Sequence, residues 1–235
     1  MRQIVFNEKI EDWRQYFGIS YACYASFGGT LFILLLHTIF GDNINYSFIN
    51  PITSIILPLI VFISYMPTIF EPLKQQKTKK IIMWTVVCIL AIFASKVLFR
   101  FIENNFIVFL GHEGLKNFNS ESLSNQLSKP NVWLQTYSIL SMCLIGPFVE
   151  EVTYRVCLFT TLRKRIGIFA HLITAILFGF QHISIAVLLY NRPLEFLYIF
   201  SYIGFSFVLT IIYEKTKTPI PGIISHILIN CVGVI

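Results

Sequence analysis

Apolar runs of about the length that crosses a bilayer recur along this chain and constrain it more than anything else in the sequence, because a spanning helix needs roughly 20 consecutive apolar residues. Residues 18–40 and 52–70 carry no Asp, Glu, Lys or Arg, and 81–99 carries Lys96 alone, near enough to one end for its amine to snorkel. The run 131–149 leads directly into Glu150, 166–185 and 194–213 follow, the latter with Glu195 at its rim, and 219–235 closes the series. With 55% hydrophobic and 13% charged residues in 235, the chain has more apolar surface than a soluble domain of this length buries. The predicted fold class is all-α: a polytopic transmembrane helix bundle of about seven to eight spans, seven of them visible as these runs.

Loop charges orient the bundle. With the N-terminus inside, the inner segments hold thirteen Lys and Arg and the outer ones five, so a cytoplasmic N-terminus is expected for a multi-pass integral membrane protein. The formal charge of +6 is then a topology signal, and no nucleic-acid partner is expected, since the basic residues are scattered over short loops. Phe6, Ile10, Trp13 and Phe17 recur at helical spacing opposite Lys9 and Arg14, so 1–17 reads as an amphipathic segment at the inner interface. Residues 18–130 hold the first spans and one long polar loop, from Lys96 to Asn131, and 131–235 forms the remaining helices. Cys23, Cys88, Cys143, Cys157 and Cys231 fall in or beside apolar segments without a C-x-x-C pair and read as small buried hydrophobes.

Three charges break the apolar character of the last region: Glu150, Glu151 and Arg155. An ionised side chain at a bilayer centre costs on the order of 2.5–3.5 kcal/mol, so three within a short helical stretch need partners or a polar cavity. Glu151 and Arg155 are four apart, the spacing of an intrahelical ion pair, whereas Glu150 points about 100° away. Arg155 therefore neutralises Glu151 and leaves Glu150 free. Further along, Phe178 and His182 are four apart, as are His226 and Asn230. At about 1.5 Å per residue, Glu150 lies some 20 Å and His182 some 25 Å from the Arg163–Arg165 cluster, and His226 some 14 Å from Lys217, so the three can meet at mid-membrane. Gln181, Ser184, Ser206 and Ser225 are expected to line a wet pocket there.

A carboxylate and two imidazoles in such a pocket can hydrolyse a bond by two routes, and the residues leave both open. In one, Glu150, His182 and His226 hold a divalent metal such as zinc, whose bound water is acidified. In the other, metal-independent route, Glu150 takes a proton from a water positioned by His182, while His226 and Asn230 donate hydrogen bonds to the oxyanion. No serine stands in a nucleophile elbow and no H-E-x-x-H helix is present. His37 and His171 read as packing or interface residues, and His112 as solvated.

These residues resemble a known family. Glu150-Glu151-Val-Thr-Tyr-Arg155 resembles the EExxxR motif, Phe178-Gly-Phe-Gln-His182 the FxxxH motif, and His226-Ile-Leu-Ile-Asn230 the HxxxN motif of the CPBP intramembrane proteases, the CAAX-protease and bacteriocin-processing (Abi-like) group. The likeness covers about 134–235. It implies an eight-helix or near-eight-helix membrane peptidase fold with its catalytic core in 131–235, Glu150 as water activator and Glu151, Arg155, His182, His226 and Asn230 completing the site. It further implies a membrane-anchored or lipidated peptide or protein substrate and a bacterial cell membrane as the location. A non-proteolytic immunity or regulatory protein of the same group is the alternative. Val156 stands where the family often has Gly, and Val208 where a second Gly often follows Gly204.

Overall fold

The computed structural model describes residues 12–40, 56–57, 59–61, 63–66, 77–128 and 130–234, and among these every regular element is helical. Helix α1 (Asp12–Cys23) passes through a π-turn, Tyr24–Gly28, into α2 (Gly29–Phe40). Helix α3 is Thr78–Phe109 and α4 is Phe118–Leu127. Helix α5 runs over 132–166 with two π-helical stretches, Ser141–Ile145 and Val152–Phe159. Helices α6 (Phe169–Leu189), α7 (Pro193–Thr216) and α8 (Ile220–Val234) complete the described chain.

Local chemistry sets these boundaries. Pro147 has no N–H and crowds the preceding turn, so α5 widens ahead of it and Gly146 N–H donates to Ser141 O, five residues back. Gly167, at φ 60°, ends α5 in a conformation that side chains disfavour, and Lys217, at φ 58°, ends α7. Prolines 219 and 221 then stand at the start of α8, where a missing N–H costs nothing.

Three described helices are long and apolar enough to cross a membrane: α3, α6 and α7. The pair Tyr16–Ser26 and Gly29–Leu36, bent by 59°, makes a fourth if it is counted as one span. The described residues thus give three to four of the seven to eight expected spans. The expected span 52–70 lies largely outside them, and that of 219–235 forms a helix of 15 residues, about 22 Å long, short of a 30 Å hydrocarbon core. The expected amphipathic segment lies outside the described residues as far as residue 11, and α1 runs through position 17 unbroken. The long polar loop is corrected: its first part, to Phe109, belongs to α3, and Phe118–Leu127 is a helix capped by the Asn117 side chain, which accepts from Asn119 N and Ser120 N.

Helix α6 packs along α7, α3 along α7 and α8, and α1 along the second half of α5. On α3, Thr85, Cys88 and Ile92 are buried while Phe93, Val97 and Phe101 face outward, the helical alternation inverted relative to a wet surface. Tyr154, Leu158, Phe178, Phe205 and Leu209 form one core, and Val149, Val152, Val156, Phe159 and Tyr213 a second. Val156 is therefore a packing residue, and Val208 sits at the edge of the first core. Short polar links join helices inside the bundle: Ser26 to Tyr154 OH at 2.8 Å, Thr30 to Ser184 at 3.0 Å, and Ser225 Oγ to Thr85 O at 3.2 Å. Among the described residues the five cysteines are free thiols, three of them buried.

Candidate active site

Glu150 and Glu151 leave α5 in different directions, and this divides their roles. Glu151 is fully buried, with Oε2 3.1 Å from Arg155 Nε and Oε1 3.1 Å from His226 Nδ1. Glu150 turns to a cavity of about 560 Å³, where Oε1 accepts a hydrogen bond of 2.9 Å from Gln181 Nε2 and Oε2 lies 3.7 Å from His226 Nε2. His226 thus stands between the two carboxylates. A carboxylate paired with Arg155 only accepts, so Nδ1 carries the proton it shares with Glu151, and Nε2 is the nitrogen turned to Glu150. Gly222, one turn earlier on α8, permits this approach: a Cβ there would lie 3.0 Å from Glu151 Oε2.

Arg155 is buried without a hydrogen bond of good geometry from its guanidinium, which lies 5.0 Å from the Phe178 ring centroid. Phe178 in turn meets His182 edge-on at 4.7 Å, and Tyr202 stacks on the other side of the imidazole at 4.3 Å with 12° between the planes. Held between two rings, His182 makes no side-chain hydrogen bond to protein among the described residues and lines the cavity with both ring nitrogens uncommitted. Asn230 Nδ2 donates to Met142 O at 3.0 Å, in the first π-helical stretch of α5, and its second N–H remains for a ligand. The i,i+4 spacings therefore bring Glu150, His182, His226 and Asn230 to one cavity, with Glu151 and Arg155 directly behind it.

The expected pocket serines are corrected. Ser184 and Ser225 are bonded to neighbouring helices, Ser206 is buried away from the cavity, and Gln181 acts on Glu150 from behind. One or two residues from a site histidine is 100–200° around the helix, which points these side chains elsewhere. The cavity is lined instead by Ser138 and Ser141 on α5, Ser201 and Tyr202 on α7, and Asn119, Ser120 and Ser122 on α4. Lys96 also lines it, with Nζ 5.7 Å from the Phe205 ring centroid, so this amine turns inward instead of snorkelling.

Helix α4 roofs the site. Asn119 Nδ2 donates to His182 O at 2.9 Å and to Tyr202 OH at 3.0 Å, tying the roof to the stacked pair. Phe118 N donates to the buried Glu195 at 2.9 Å, and Arg192 pairs with Glu121 at 2.6 Å, whose carboxylate raises the arginine pKa above its ordinary value. Sequence reasoning missed this element; the legible signal was Asn117 as a helix cap followed by Glu121 in the first turn. At the other end, His171 bridges Thr210 at 2.9 Å and Glu214 at 2.8 Å, and Arg163 joins Glu214 at 2.7 Å, locking α5, α6 and α7 together.

The donor set as it stands does not form a metal cage. Among the described residues no three His, Cys, Asp or Glu side chains are placed to hold one ion.

Residues 132–232 match the family model described as type II CAAX prenyl endopeptidase Rce1-like. No curated protein and no solved structure matches the chain.

Proposed function

We propose that this chain, which belongs through residues 132–232 to the Rce1-like CAAX endopeptidase family, is an integral membrane endopeptidase that hydrolyses membrane-anchored peptides with Glu150-activated water. One observation carries the reading: Glu150 and His226 face each other at 3.7 Å across a cavity that His182 and Asn230 also line. A separation of that size admits a bridging water. Glu150 takes a proton from this water as its oxygen bonds to the scissile carbonyl carbon, and His182 orients the same water through a ring nitrogen. The tetrahedral oxyanion lies toward the free N–H of Asn230, while His226 Nε2, the unprotonated nitrogen of this tautomer, accepts a hydrogen bond from the attacking water. Glu150 then returns the proton to the leaving nitrogen as the C–N bond breaks, and both carboxylate and imidazole are regenerated. Glu151 and Arg155 touch no substrate; they hold His226 in the required tautomer and orientation. The charge bias of the loops adds a cytoplasmic N-terminus to this proposal.

Purified protein in proteoliposomes, offered a labelled hydrophobic or lipidated peptide, should cleave it. Glu150→Ala, His182→Ala and His226→Ala should each lower the rate by about 10²–10⁴-fold with folded yield unchanged. A fully active Glu150→Ala removes the mechanism. Activity that a chelator abolishes and added zinc restores would replace activated water with metal-bound water at this site.

A further inference from the structure

Helix α4 has a second polar side. Asn119 and Ser122 line the catalytic cavity, whereas Glu121, Ser124 and Asn125, at i, i+3 and i+4, line a second cavity of about 810 Å³, a volume in the range of small-ligand sites. Arg100 and Asn104 on α3, Lys116 just ahead of α4 and Tyr198 on α7 belong to the same lining, and the proposed mechanism uses none of them. The one carboxylate among these lining residues, Glu121, is held by Arg192 at 2.6 Å. Glu103, near Arg100 on α3, is spent on Ser201 N at 2.8 Å and on Ser201 Oγ at 2.7 Å. Arg100 and Lys116 therefore face the cavity without an ion pair among the described residues. Two cations among hydroxyls and amides, with the nearby acids already engaged, favour an anion.

Helix α3 indicates what carries that anion. Arg100 ends the apolar run 81–99, and Asn104 and Asn105 follow it, so hydrocarbon gives way to headgroups at this level. Phe93, Val97, Arg100 and Asn104 recur at i, i+4, i+7 and i+11, one stripe of the helix, and the two apolar members are exposed. A stripe that is apolar below and cationic at its rim fits a molecule with acyl chains below and a phosphate above. We infer that this cavity binds an anionic phospholipid, its phosphodiester between Arg100 and Lys116, its headgroup hydroxyls on Ser124 and Asn125, and its acyl chains along Phe93 and Val97. Because Arg100 belongs to α3 and Ser124 to α4, the headgroup ties the roof of the catalytic site to its neighbouring helix from the side opposite the chemistry.

Energy transfer from the tryptophans of the full chain in phosphatidylcholine vesicles, read with tail-labelled phosphatidylglycerol and tail-labelled phosphatidylcholine, tests this without calling on catalysis. Wild type should bind the phosphatidylglycerol tighter by roughly tenfold or more, the scale of two basic side chains acting on an anionic lipid, and the signal should saturate. Arg100→Gln with Lys116→Gln should abolish the preference. Arg100→Lys with Lys116→Arg keeps both cations and should retain it. Lys79→Gln with Lys80→Gln, the same loss of charge at the other end of α3, should leave it unchanged. Equal affinity of wild type for the two lipids overturns the inference, and so does loss of the preference in the pair that keeps both cations. An equal loss in the two glutamine pairs assigns the effect to unspecific attraction of charge and overturns it as well. Displacement of the labelled lipid by inorganic phosphate, beyond that by chloride at equal ionic strength, gives the cavity to a free anion and removes the lipid. Each reading is of binding alone, so the lipid site and the peptidase stand or fall separately.

Discussion

Arg155 never reaches the cavity, yet the position of His226 depends on it. Its guanidinium holds Glu151 Oε2 at 3.1 Å, and the other oxygen of that carboxylate holds His226 Nδ1. Breaking a buried pair by removing one partner costs roughly 3–5 kcal/mol, because a charge is left in the interior. Arg155→Ala should therefore lower folded yield as well as cleavage, unlike substitution of Glu150. Adding Glu151→Gln removes the orphaned charge, so the double variant should recover yield on size exclusion while staying inactive, its His226 lacking the anionic partner. Recovery of cleavage in the double variant would show that the carboxylate does not orient the imidazole. The intrahelical half of this arrangement was legible, since the spacing of Glu151 and Arg155 separates the two glutamates by role. The other half was not: His226 is 75 positions away from Glu151, and nothing local marks that contact. Lys96 was misread for the same reason, since burial along a helix can be inferred from its own periodicity but an inward cavity cannot.

At the scale of elements, the site depends on how closely α8 approaches α5. Gly222 permits it, because a Cβ there would lie 3.0 Å from Glu151 Oε2 and 3.3 Å from Leu209 Cδ2. The leucine end can turn aside, but the carboxylate is fixed by Arg155 and His226. Gly222→Ala should push α8 outward by a few tenths of an ångström, an overpacking cost of about 1–3 kcal/mol. Since His226 is four residues further on the same face, kcat/KM should fall about tenfold or more with a smaller loss of thermal stability. An unchanged kcat/KM would mean that α8 has slack at this point. Spans α3, α6 and α7 were legible to within a few residues at most of their ends because long apolar runs and their Gly and Pro boundaries are local signals. The exception is the C-terminal end of α3, which runs ten residues beyond the apolar stretch to Phe109. The π-helical stretches of α5 and the roof α4 were not legible. Both depend on what a helix packs against, and a polar sequence such as Phe118–Leu127 carries little apolar periodicity of its own.

At the scale of the molecule, polarity is inverted relative to a water-soluble enzyme. The exposed faces of α3 and α6 present Phe93, Val97, Phe101, Leu172 and Ile173, whereas hydroxyls, amides and charged groups gather in the interior cavity beside Phe178, Phe205 and Ile229. Such an exterior is stable in hydrocarbon, and a cavity set among these helices is reached most readily by a chain already partitioned into the bilayer. Anchoring also confines enzyme and substrate to two dimensions, which raises their effective concentration by roughly 10²-fold or more without any new contact. A peptide carrying a lipid or hydrophobic anchor should therefore be cleaved about 10²-fold faster than the same sequence without it, at matched total concentration in proteoliposomes. The difference should shrink in detergent micelles, where the anchor no longer concentrates substrate beside enzyme, and this contrast separates partitioning from direct recognition of the anchor. Equal rates in proteoliposomes would mean that water-soluble chains reach Glu150 unaided, and the roof formed by α4 would then have to be an open door.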